Sequence, residues 1–333
     1  MPTDRARIVN VAEMAEPGWR FVADALPGML DWRFHDARPR NGIERAIRRP
    51  RLARYRAALG AALDARDGDV LLSHMPIMTA AVADMARRIG RRPRHMAVSF
   101  NFTELPHGAR LDRMRRAFGH VDRFLVYSRA EQLLYPALFD LPADRFAFLH
   151  WPMDKPAAGP RPAFLPPLYA VAAGGEARDH ATLLAAARML PHVPLVIATR
   201  PGHVARETLP AHVTLLENLS GADFWSTVAH ARISLVPLRD GETNCGHITL
   251  VGSQLLGSPI VATRSAGIAD YVEDGVNASL VAPGDARALA GAIDTLWNDD
   301  ERRVRHATTG KALAAQRSAP DAMIEEVRRF ISG

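Results

Sequence analysis

Short apolar runs alternate with longer amphipathic stretches along the first half of the chain. The runs are RIVNVA, VLLSHM, HMAVSF, RFLVYS and RFAFLH, and the stretches between them have helical spacing. Parallel strands need crossover connections of this kind, usually helices. The rhythm therefore predicts βαβ units and a parallel sheet.

One of the amphipathic stretches, RLARYRAALGAALDA, shows the helical period clearly. Leu52, Tyr55, Leu59 and Leu63 recur every three or four positions, and the arginines fall largely on the other side. This spacing predicts an amphipathic helix with these four residues on one face.

The rhythm breaks at HWPMDKPAAGPRPAFLPPLYAV, where proline is too frequent for a helix or a central strand. It then restarts with LYAVAAGG, PLVIAT, VTLLEN, ARISLVPL and PIVAT. We therefore expect an α/β protein with two doubly wound, Rossmann-like parallel-sheet domains, residues 1–153 and 154–318, separated within the proline-rich segment 152–166. A final helix within 319–333 is expected to pack on the first domain.

Composition narrows the class of protein. Hydrophobic residues make up 48% of the 333 residues and charged residues 23%, and no apolar run is long enough to cross a bilayer. The start, MPTDRARIVNVAEM, lacks the features of a secretory signal, which predicts a cytoplasmic protein. The single cysteine, Cys245, allows neither an internal disulfide nor a cysteine-rich zinc site.

Positive charge is concentrated in the first half of the chain. Residues 1–153 contain 25 basic and 17 acidic side chains, whereas the remainder is slightly acidic. Such a surface suits anionic lipid headgroups, nucleic acid or plain hydration. Because the arginine clusters lack interleaved aromatic residues, we do not expect a nucleic-acid partner. Lipid headgroups and hydration both stay open.

Candidate binding residues follow the strand of AAGGEARDHATLL. Ligands of open α/β sheets bind beyond the carboxyl ends of the strands. Gly174 and Gly175 let backbone amides approach an anion, and Arg178 adds a cation. The alternative is an ordinary βα turn with Asp179 as the helix N-cap.

A second candidate is the start of the helix in NCGHITLVGSQLLGSPIVAT. The preceding strand ends at Leu238, and the amides of Gly246, His247 and Ile248 lie in the predicted first turn. Free amides at the positive end of a helix suit a diphosphate without a metal ion. The alternative is a helix capped by Asn244 that binds no ligand.

Two segments resemble the retaining glycosyltransferases of family 4, which have the two-domain GT-B architecture with a cleft between the domains. GSPIVATRSAGIADYVEDGVNASLVAPGDARALAGAIDTLWND is similar to a characteristic region of that family almost position for position. VDRFLVYSRAEQLLYPALFDLPADRFAFLHWPMD is similar to the segment that closes its N-terminal domain, with Ser128 after a strand and Asp154 near the end.

The sequence departs from the family at its Glu-x7-Glu pair, which falls on Asn244 and Gly252. The resemblance implies that the first position lies near the donor sugar and that the second binds the ribose hydroxyls. Asn244 can still form a hydrogen bond with a sugar, whereas Gly252 has no side chain to do so. The resemblance also implies that Arg178 binds the donor diphosphate and that Arg200 lines the base pocket. To the same donor site we assign four more residues: Asn218, Leu238, Thr243 and Thr249.

The first domain contains the catalytic candidates. Where the family often has a histidine facing the donor sugar, this chain has SFNFTELPHG, whose polar groups include Asn101 and Glu104. His74 and Glu13 also follow predicted strands, and each is as easily structural as functional.

These observations predict a metal-independent hexosyltransferase that moves a sugar from a UDP- or GDP-sugar to an acceptor hydroxyl. We expect a role in bacterial glycolipid, polysaccharide or small-molecule glycoside synthesis, with an acceptor that is lipid-linked or soluble and with peripheral attachment to the inner face of the membrane. The resemblance implies retention of configuration, and an inverting enzyme would need Glu104 or Glu13 as general base. The alternatives are an inactive sugar-nucleotide-binding subunit and a sugar-nucleotide epimerase.

Overall fold

The computed structural model describes residues 7–13, 20–26, 31–47, 51–239 and 245–333. The chain divides into two units. The first comprises Met1–Leu149 and Asp321–Gly333, and the second comprises His150–Pro320.

The first unit is built on a sheet of six parallel strands. Its strands are β1 Arg7–Ala12, β2 Asp31–Asp36, β3 Val70–His74, β4 Arg94–Val98, β5 Arg123–Val126 and β6 Phe146–Phe148. They lie in the order β2-β1-β3-β4-β5-β6. Its helices are α1 Phe21–Ala25, α2 Gly42–Ala46, α3 Leu52–Asp64, α4 Pro76–Arg88, α5 Gly108–Phe118, α6 Arg129–Phe139 and, much later in the chain, α12 Asp321–Ser332.

Helices cover both faces of this sheet, because alternate residues of a strand point to opposite sides. Val9 packs in a cluster with the alanines of α3 and with Met78 of α4. Ile8 packs on the other side with Met323 and Val327 of α12. Both faces are therefore buried, which explains the nearly continuous apolar runs of the central strands.

Polar contacts also fix α12 to the first unit. The guanidinium of Arg94 donates hydrogen bonds to the carbonyl oxygens of Phe330 and Ile331 in the last turn of the helix. Arg123 forms an ion pair of 2.8 Å with Glu326. A cation beside the last carbonyls of a helix also complements its dipole.

The helix α3 packs on its sheet by small side chains. The helix buries Ala53, Ala57, Ala58, Ala61 and Ala62, whereas Tyr55, Leu59 and Leu63 are 43%, 41% and 57% exposed. The predicted helix is present, and its buried face is the alanine face. Small side chains allow α3 to approach the sheet and α4 closely, and close packing stabilises this face even without large side chains.

The second unit has a second sheet of six parallel strands. Its strands are β7 Ala170–Ala173, β8 Leu195–Thr199, β9 Val213–Glu217, β10 Ile233–Val236, β11 Ile260–Thr263 and β12 Ser279–Val281, in the order β12-β11-β10-β7-β8-β9. Its helices are α7 His180–Arg188, α8 Gly221–Ala229, α9 His247–Leu256, α10 Ala286–Asn298 and α11 Asp300–Arg317. The predicted α/β class with two doubly wound parallel sheets is confirmed.

The proline-rich segment belongs to the second unit. The backbone N–H of Met153 donates to the carbonyl of Ser318 at 2.9 Å, and that of Gly159 donates to Ser226 Oγ at 2.8 Å. Leu165 is buried among residues of the second sheet. The division after Leu149 therefore precedes this segment rather than falling within 152–166.

The longest described helices are amphipathic or polar. In the described ranges, no helix is both long enough and apolar enough to span a bilayer.

Candidate functional site

The candidate donor site lies at the carboxyl edge of the second sheet. In the strand order, β7 lies between β10 and β8, so the segments that follow these three strands meet at one edge. The N–H of Asp179 donates to Pro237 O at 2.9 Å, and the N–H of Arg239 donates to Ala177 O at 2.9 Å. These bonds join the segment after β7 to the segment after β10.

Two glycines make room for Arg178 at this junction. Gly174 and Gly246 have φ of 105° and 96°, a region that favours glycine. A Cβ on Gly174 would lie 2.6 Å from Arg178 Nη2, and a Cβ on Gly246 would lie 3.3 Å from Nη1. The guanidinium therefore lies between the glycine turn and the start of α9.

Arg178 is a buried cation, only 7% exposed. Its Nε and Nη2 donate to Ala173 O at 3.2 and 3.1 Å, and its Nη1 donates to Glu176 O at 3.1 Å. A guanidinium has five N–H groups, so two of them have no acceptor in the described part of the chain. Within those same residues no carboxylate forms an ion pair with it.

Burial lowers the pKa of Arg178 to about 10, although the nearby Cys245 and Glu176 oppose that shift. The side chain therefore keeps its charge at neutral pH. A buried charge without a counterion is costly, and an anionic ligand would remove that cost.

The first turn of α9 lies beside this cation. Gly246 is the N-cap and has no side chain to cap the helix, and no acidic residue lies in the first turn. The N–H groups of His247, Ile248 and Thr249 have no intrahelical acceptor, as at any helix start. Thr249 Oγ1 lies 3.1 Å from the position of a Cβ on Gly174. Amides, a hydroxyl and a guanidinium thus converge in a small volume.

The side chain of His247 anchors α9. Its Nε2 donates to the carbonyl of Gly267 at 2.9 Å, and its ring lies 4.8 Å from that of Tyr271. Burial lowers the pKa of His247 to about 4, so the imidazole is neutral at pH 7. Its contribution to a ligand would come from its backbone N–H, whereas the half-exposed side chain of Ile248 faces solvent.

The remaining predicted donor residues surround this junction or lie near it. Leu238 is buried and its N–H donates to Thr263 Oγ1 at 3.0 Å. Arg200 follows β8 and pairs with Glu176, while exposed Asn218 follows β9 with φ of 55°. Gly175 follows Gly174 in the same turn. Thr243 and Asn244 lie outside the described residues.

Two histidines at the same edge were not predicted. The rings of His180 and His203 are 6.4 Å apart, and a Cβ on Gly175 would lie 3.0 Å from His203 Cε1. Neither ring nitrogen of His180 has a partner in the part of the chain that the structure describes. Burial, followed by the charge of Arg178, lowers the pKa of His180 to about 4. The available signal was its position directly after the Asp179 cap of α7.

An aromatic ring lies against the place of the family's second glutamate. A Cβ on Gly252 would lie 2.3 Å from Cη2 and 2.4 Å from Cζ3 of Trp225, a half-buried residue of α8. No side chain fits at position 252 unless the indole moves. The glycine and the tryptophan therefore form a matched pair between α8 and α9.

In the first unit, Glu13 and His74 are both buried, and the side chain of each has a polar partner. The carboxylate of Glu13 pairs with Arg51 at 3.0 Å and also with Arg54. His74 Nε2 donates to Asn10 Oδ1 at 2.7 Å. Burial lowers the pKa of His74 to about 3, which leaves a neutral imidazole inside the unit.

Asn101 and Glu104 occupy the segment between β4 and α5. Asn101 is half-buried, and its N–H donates to Ser99 O at 3.2 Å. Glu104 is exposed and forms no ion pair with a described residue. Because β1, β3 and β4 are neighbours in the sheet, the four catalytic candidates lie at or beyond the carboxyl ends of adjacent strands. Across the described ranges, no group of three His, Cys, Asp or Glu side chains is arranged to hold a metal ion.

The chain is similar to known glycosyltransferases in family and in fold. Residues 176–299 match the family model described as glycosyl transferases group 1. No curated protein matches the sequence.

Solved structures match nearly the whole chain. HepE of Anabaena, in complex with UDP and glucose, has 15% sequence identity and a TM-score of 0.74, with 98% of this chain and 99% of that chain covered. Sucrose-phosphate synthase of Thermosynechococcus elongatus has 14% identity and a TM-score of 0.72, with 98% of each chain covered. A glycosyltransferase of Rickettsia africae has 10% identity and a TM-score of 0.70, with 98% and 97% covered.

The solved structures show that the chain has the GT-B fold, and the residues that the family model matches all lie in the second unit. The predicted resemblance is confirmed. The matched residues 176–299 include Arg178, Arg200 and the whole of α9.

Proposed function

We propose that the protein transfers a hexosyl group from a nucleotide-diphosphate sugar to an acceptor hydroxyl, and that its second unit binds the donor. The observation that carries the proposal is the buried guanidinium of Arg178, which has no carboxylate partner among described residues and lies beside the uncapped start of α9. The structures of HepE with UDP and with UDP-glucose favour UDP over GDP as the nucleotide.

The leaving diphosphate gains negative charge as the bond from the sugar breaks. Arg178, the amides of His247 and Ile248 and the hydroxyl of Thr249 would stabilise that charge in a site of low dielectric constant. These groups supply positive potential without a metal ion, so we propose metal-independent transfer. The resemblance to family 4 supports retention of configuration.

The nucleoside is recognised differently from the family pattern in this proposal. Gly252 offers no group to the ribose hydroxyls, and the indole of Trp225 fills the adjacent space. An indole contacts a ligand by its apolar face and by one N–H donor, so it does not replace a carboxylate. We therefore propose that the ribose hydroxyls contribute little to donor affinity.

An inverting reaction would need a general base from the first unit. Glu104 is the better candidate because it is exposed, whereas the carboxylate of Glu13 is buried between two arginines. The anomeric configuration of the product, read by NMR, separates the two mechanisms.

The acceptor belongs to glycolipid, polysaccharide or small-molecule glycoside synthesis in this proposal. The excess of basic residues in 1–153 supports an acceptor presented at an anionic membrane surface. The proposed location is the cytoplasmic face of that membrane.

One observation favours a second candidate function. Both family glutamates are replaced, the one with the donor-sugar role by Asn244 and the other by Gly252, which suits a subunit that binds a sugar nucleotide without turning it over.

The deciding experiment measures binding and turnover separately. Calorimetric titration with UDP, GDP, UDP-glucose and GDP-mannose tests the donor site, and release of the nucleotide with and without an acceptor panel tests transfer. Acceptor-dependent release supports the transferase. Binding without release under any acceptor supports the inactive subunit, and failure to bind every nucleotide contradicts both.

A further inference from the structure

A groove of about 390 Å³ lies on the surface of the first unit among α3, α4 and α5. Ile77, Met85 and Met114 contribute apolar surface to it. Six of its lining residues are arginines: Arg54, Arg87, Arg88, Arg110, Arg113 and Arg116. The groove is therefore both apolar and strongly basic.

Three of these arginines form ion pairs with carboxylates. Asp84 pairs with Arg87 at 2.9 Å and with Arg88 at 2.7 Å. Arg54 pairs with Glu13. Among the described residues, Asp84 is the only acidic side chain that lines the groove.

The arginines of α5 are not balanced in this way. Arg110, Arg113 and Arg116 are all exposed, and none forms an ion pair with a described residue. Because they are spaced three residues apart, they lie along one side of the helix. Three exposed cations therefore border an apolar surface.

The exposed face of α3 extends this apolar surface. Tyr55 borders the groove and is 43% exposed, and Leu59 and Leu63 follow it on the same face, one and two turns later. Ile77, at the start of α4, is 40% exposed. A run of large apolar side chains beside unbalanced arginines is typical of surfaces that lie in the headgroup region of a bilayer.

We propose that this face, formed by α3, α4 and α5, docks the protein on a bilayer that contains anionic phospholipids. The arginines of α5 bind lipid phosphate groups, and Tyr55, Leu59 and Leu63 enter the boundary between headgroups and acyl chains. The charge of the groove is complementary to anionic lipid, and exposed leucines gain nothing from a purely polar polyanion. The inference identifies the docking surface for the proposed membrane-presented acceptor, and it does not involve the donor site.

The test is co-sedimentation with vesicles, without any nucleotide. The wild-type protein is expected to bind vesicles of phosphatidylcholine mixed with phosphatidylglycerol, to bind pure phosphatidylcholine far more weakly, and to dissociate as salt is raised. Each arginine near an anionic surface contributes roughly fivefold to binding, so the triple variant Arg110→Gln, Arg113→Gln, Arg116→Gln is expected to bind about 100-fold more weakly.

A matched control removes the same charge elsewhere. Arg287, Arg305 and Lys311 are exposed residues of the second unit, and their triple Gln variant is expected to bind mixed vesicles nearly as well as the wild type. The double variant Leu59→Gln, Leu63→Gln tests the apolar half of the surface and is expected to weaken binding without changing its salt dependence. Both leucines are exposed, so the fold tolerates the change.

Several results would overturn this assignment. One is that the wild-type protein binds pure phosphatidylcholine vesicles as tightly as mixed vesicles. Another is that the α5 triple variant binds mixed vesicles as tightly as the wild type. The third is that the control triple variant loses as much vesicle binding as the α5 triple variant. UDP titration of every variant separates this failure from a failure of the proposed function, because loss of vesicle binding leaves UDP binding unchanged.

Discussion

Replacement of Arg178 by methionine tests whether the guanidinium binds a ligand or stabilises the fold. Methionine keeps the unbranched stem and removes the charge and the N–H donors. The burial that lowers the pKa from 12.5 to about 10 corresponds to about 3 kcal/mol of unfavourable free energy in the charged, ligand-free state. Arg178→Met removes that cost, and it also removes the bonds to the carbonyls of Ala173 and Glu176.

These two effects on the ligand-free protein oppose each other. Hydrogen bonds from a charged donor contribute about 1.5–3 kcal/mol each; water can replace the lost donor at the exposed Glu176, whereas Ala173, the last residue of β7, is buried. We therefore expect only a small change in Tm. A bound diphosphate would accept hydrogen bonds from the two N–H groups of Arg178 that have no acceptor in the described residues. The Arg178→Met variant should therefore bind UDP more weakly than the wild type by about 3–5 kcal/mol, or more than 100-fold.

The assay is calorimetric titration with UDP, together with thermal unfolding of the ligand-free variant. Arg206→Met is the matched control, because Arg206 is an exposed arginine of the same unit that pairs with Glu217. The reasoning would be refuted if Arg178→Met bound UDP as tightly as the control while its Tm fell sharply. That result would make Arg178 a structural residue.

Three further predictions concern packing, nucleoside recognition and pH. Gly252→Ala should destabilise the second unit by about 1–3 kcal/mol through contact with Trp225, and adding Trp225→Leu should recover most of that loss in a double-mutant cycle of unfolding free energies. UDP and 2′-deoxy-UDP should bind with similar Kd, and a 100-fold preference for UDP would contradict the proposed role of the Gly252 and Trp225 pair. Burial lowers the pKa of His74 and of His95 to about 3. As pH falls below 6.5, both histidines are therefore protonated in the unfolded chain but not in the folded protein. Each histidine should lower the free energy of unfolding by about 2 kcal/mol at pH 5. In acid titrations followed by circular dichroism, His95→Gln should unfold at lower pH than wild type and the exposed-site control His120→Gln should not.

The sequence was most informative about the central strands of each sheet. The apolar runs named in the sequence correspond to β1 and β3–β11, which are rich in buried residues. The strands it missed are β2 and β12, both at sheet edges. β2 reads DWRFHD and is only partly buried, and β12 is a segment of three residues. An edge strand needs no continuous apolar run, so composition alone does not mark it.

The helix α3 shows a different limit of sequence patterns. Hydrophobic periodicity identified the helix but did not show which face is buried, because leucine is more hydrophobic than alanine although the alanines form the buried face. Alanine is preferred where two elements approach closely, and that preference depends on tertiary distances that are absent from the sequence. The exposed leucines then become evidence for an interaction surface.

The candidate donor site could be predicted in its parts. Glycine turns and helix starts are local features, so Gly174, Arg178 and the first turn of α9 were identified from spacing. Their juxtaposition required the strand order, which places β7 beside β10. The contact of Trp225 with Gly252 joins positions on different helices and had no local signal. The donor-binding and catalytic roles of individual residues stay predictions.

The membership of α12 in the first unit has a consequence for biosynthesis. The chain leaves the first unit after Leu149 and returns to it only at Asp321. A ribosome therefore releases all of the second unit before it releases the helix that covers Ile8 and Leu125. During translation an apolar face of the sheet in the first unit therefore stays uncovered until α12 is made. The second unit, although it is made later, can complete its own core before that. A nascent chain arrested before Asp321 should accordingly recruit chaperones through its N-terminal lobe.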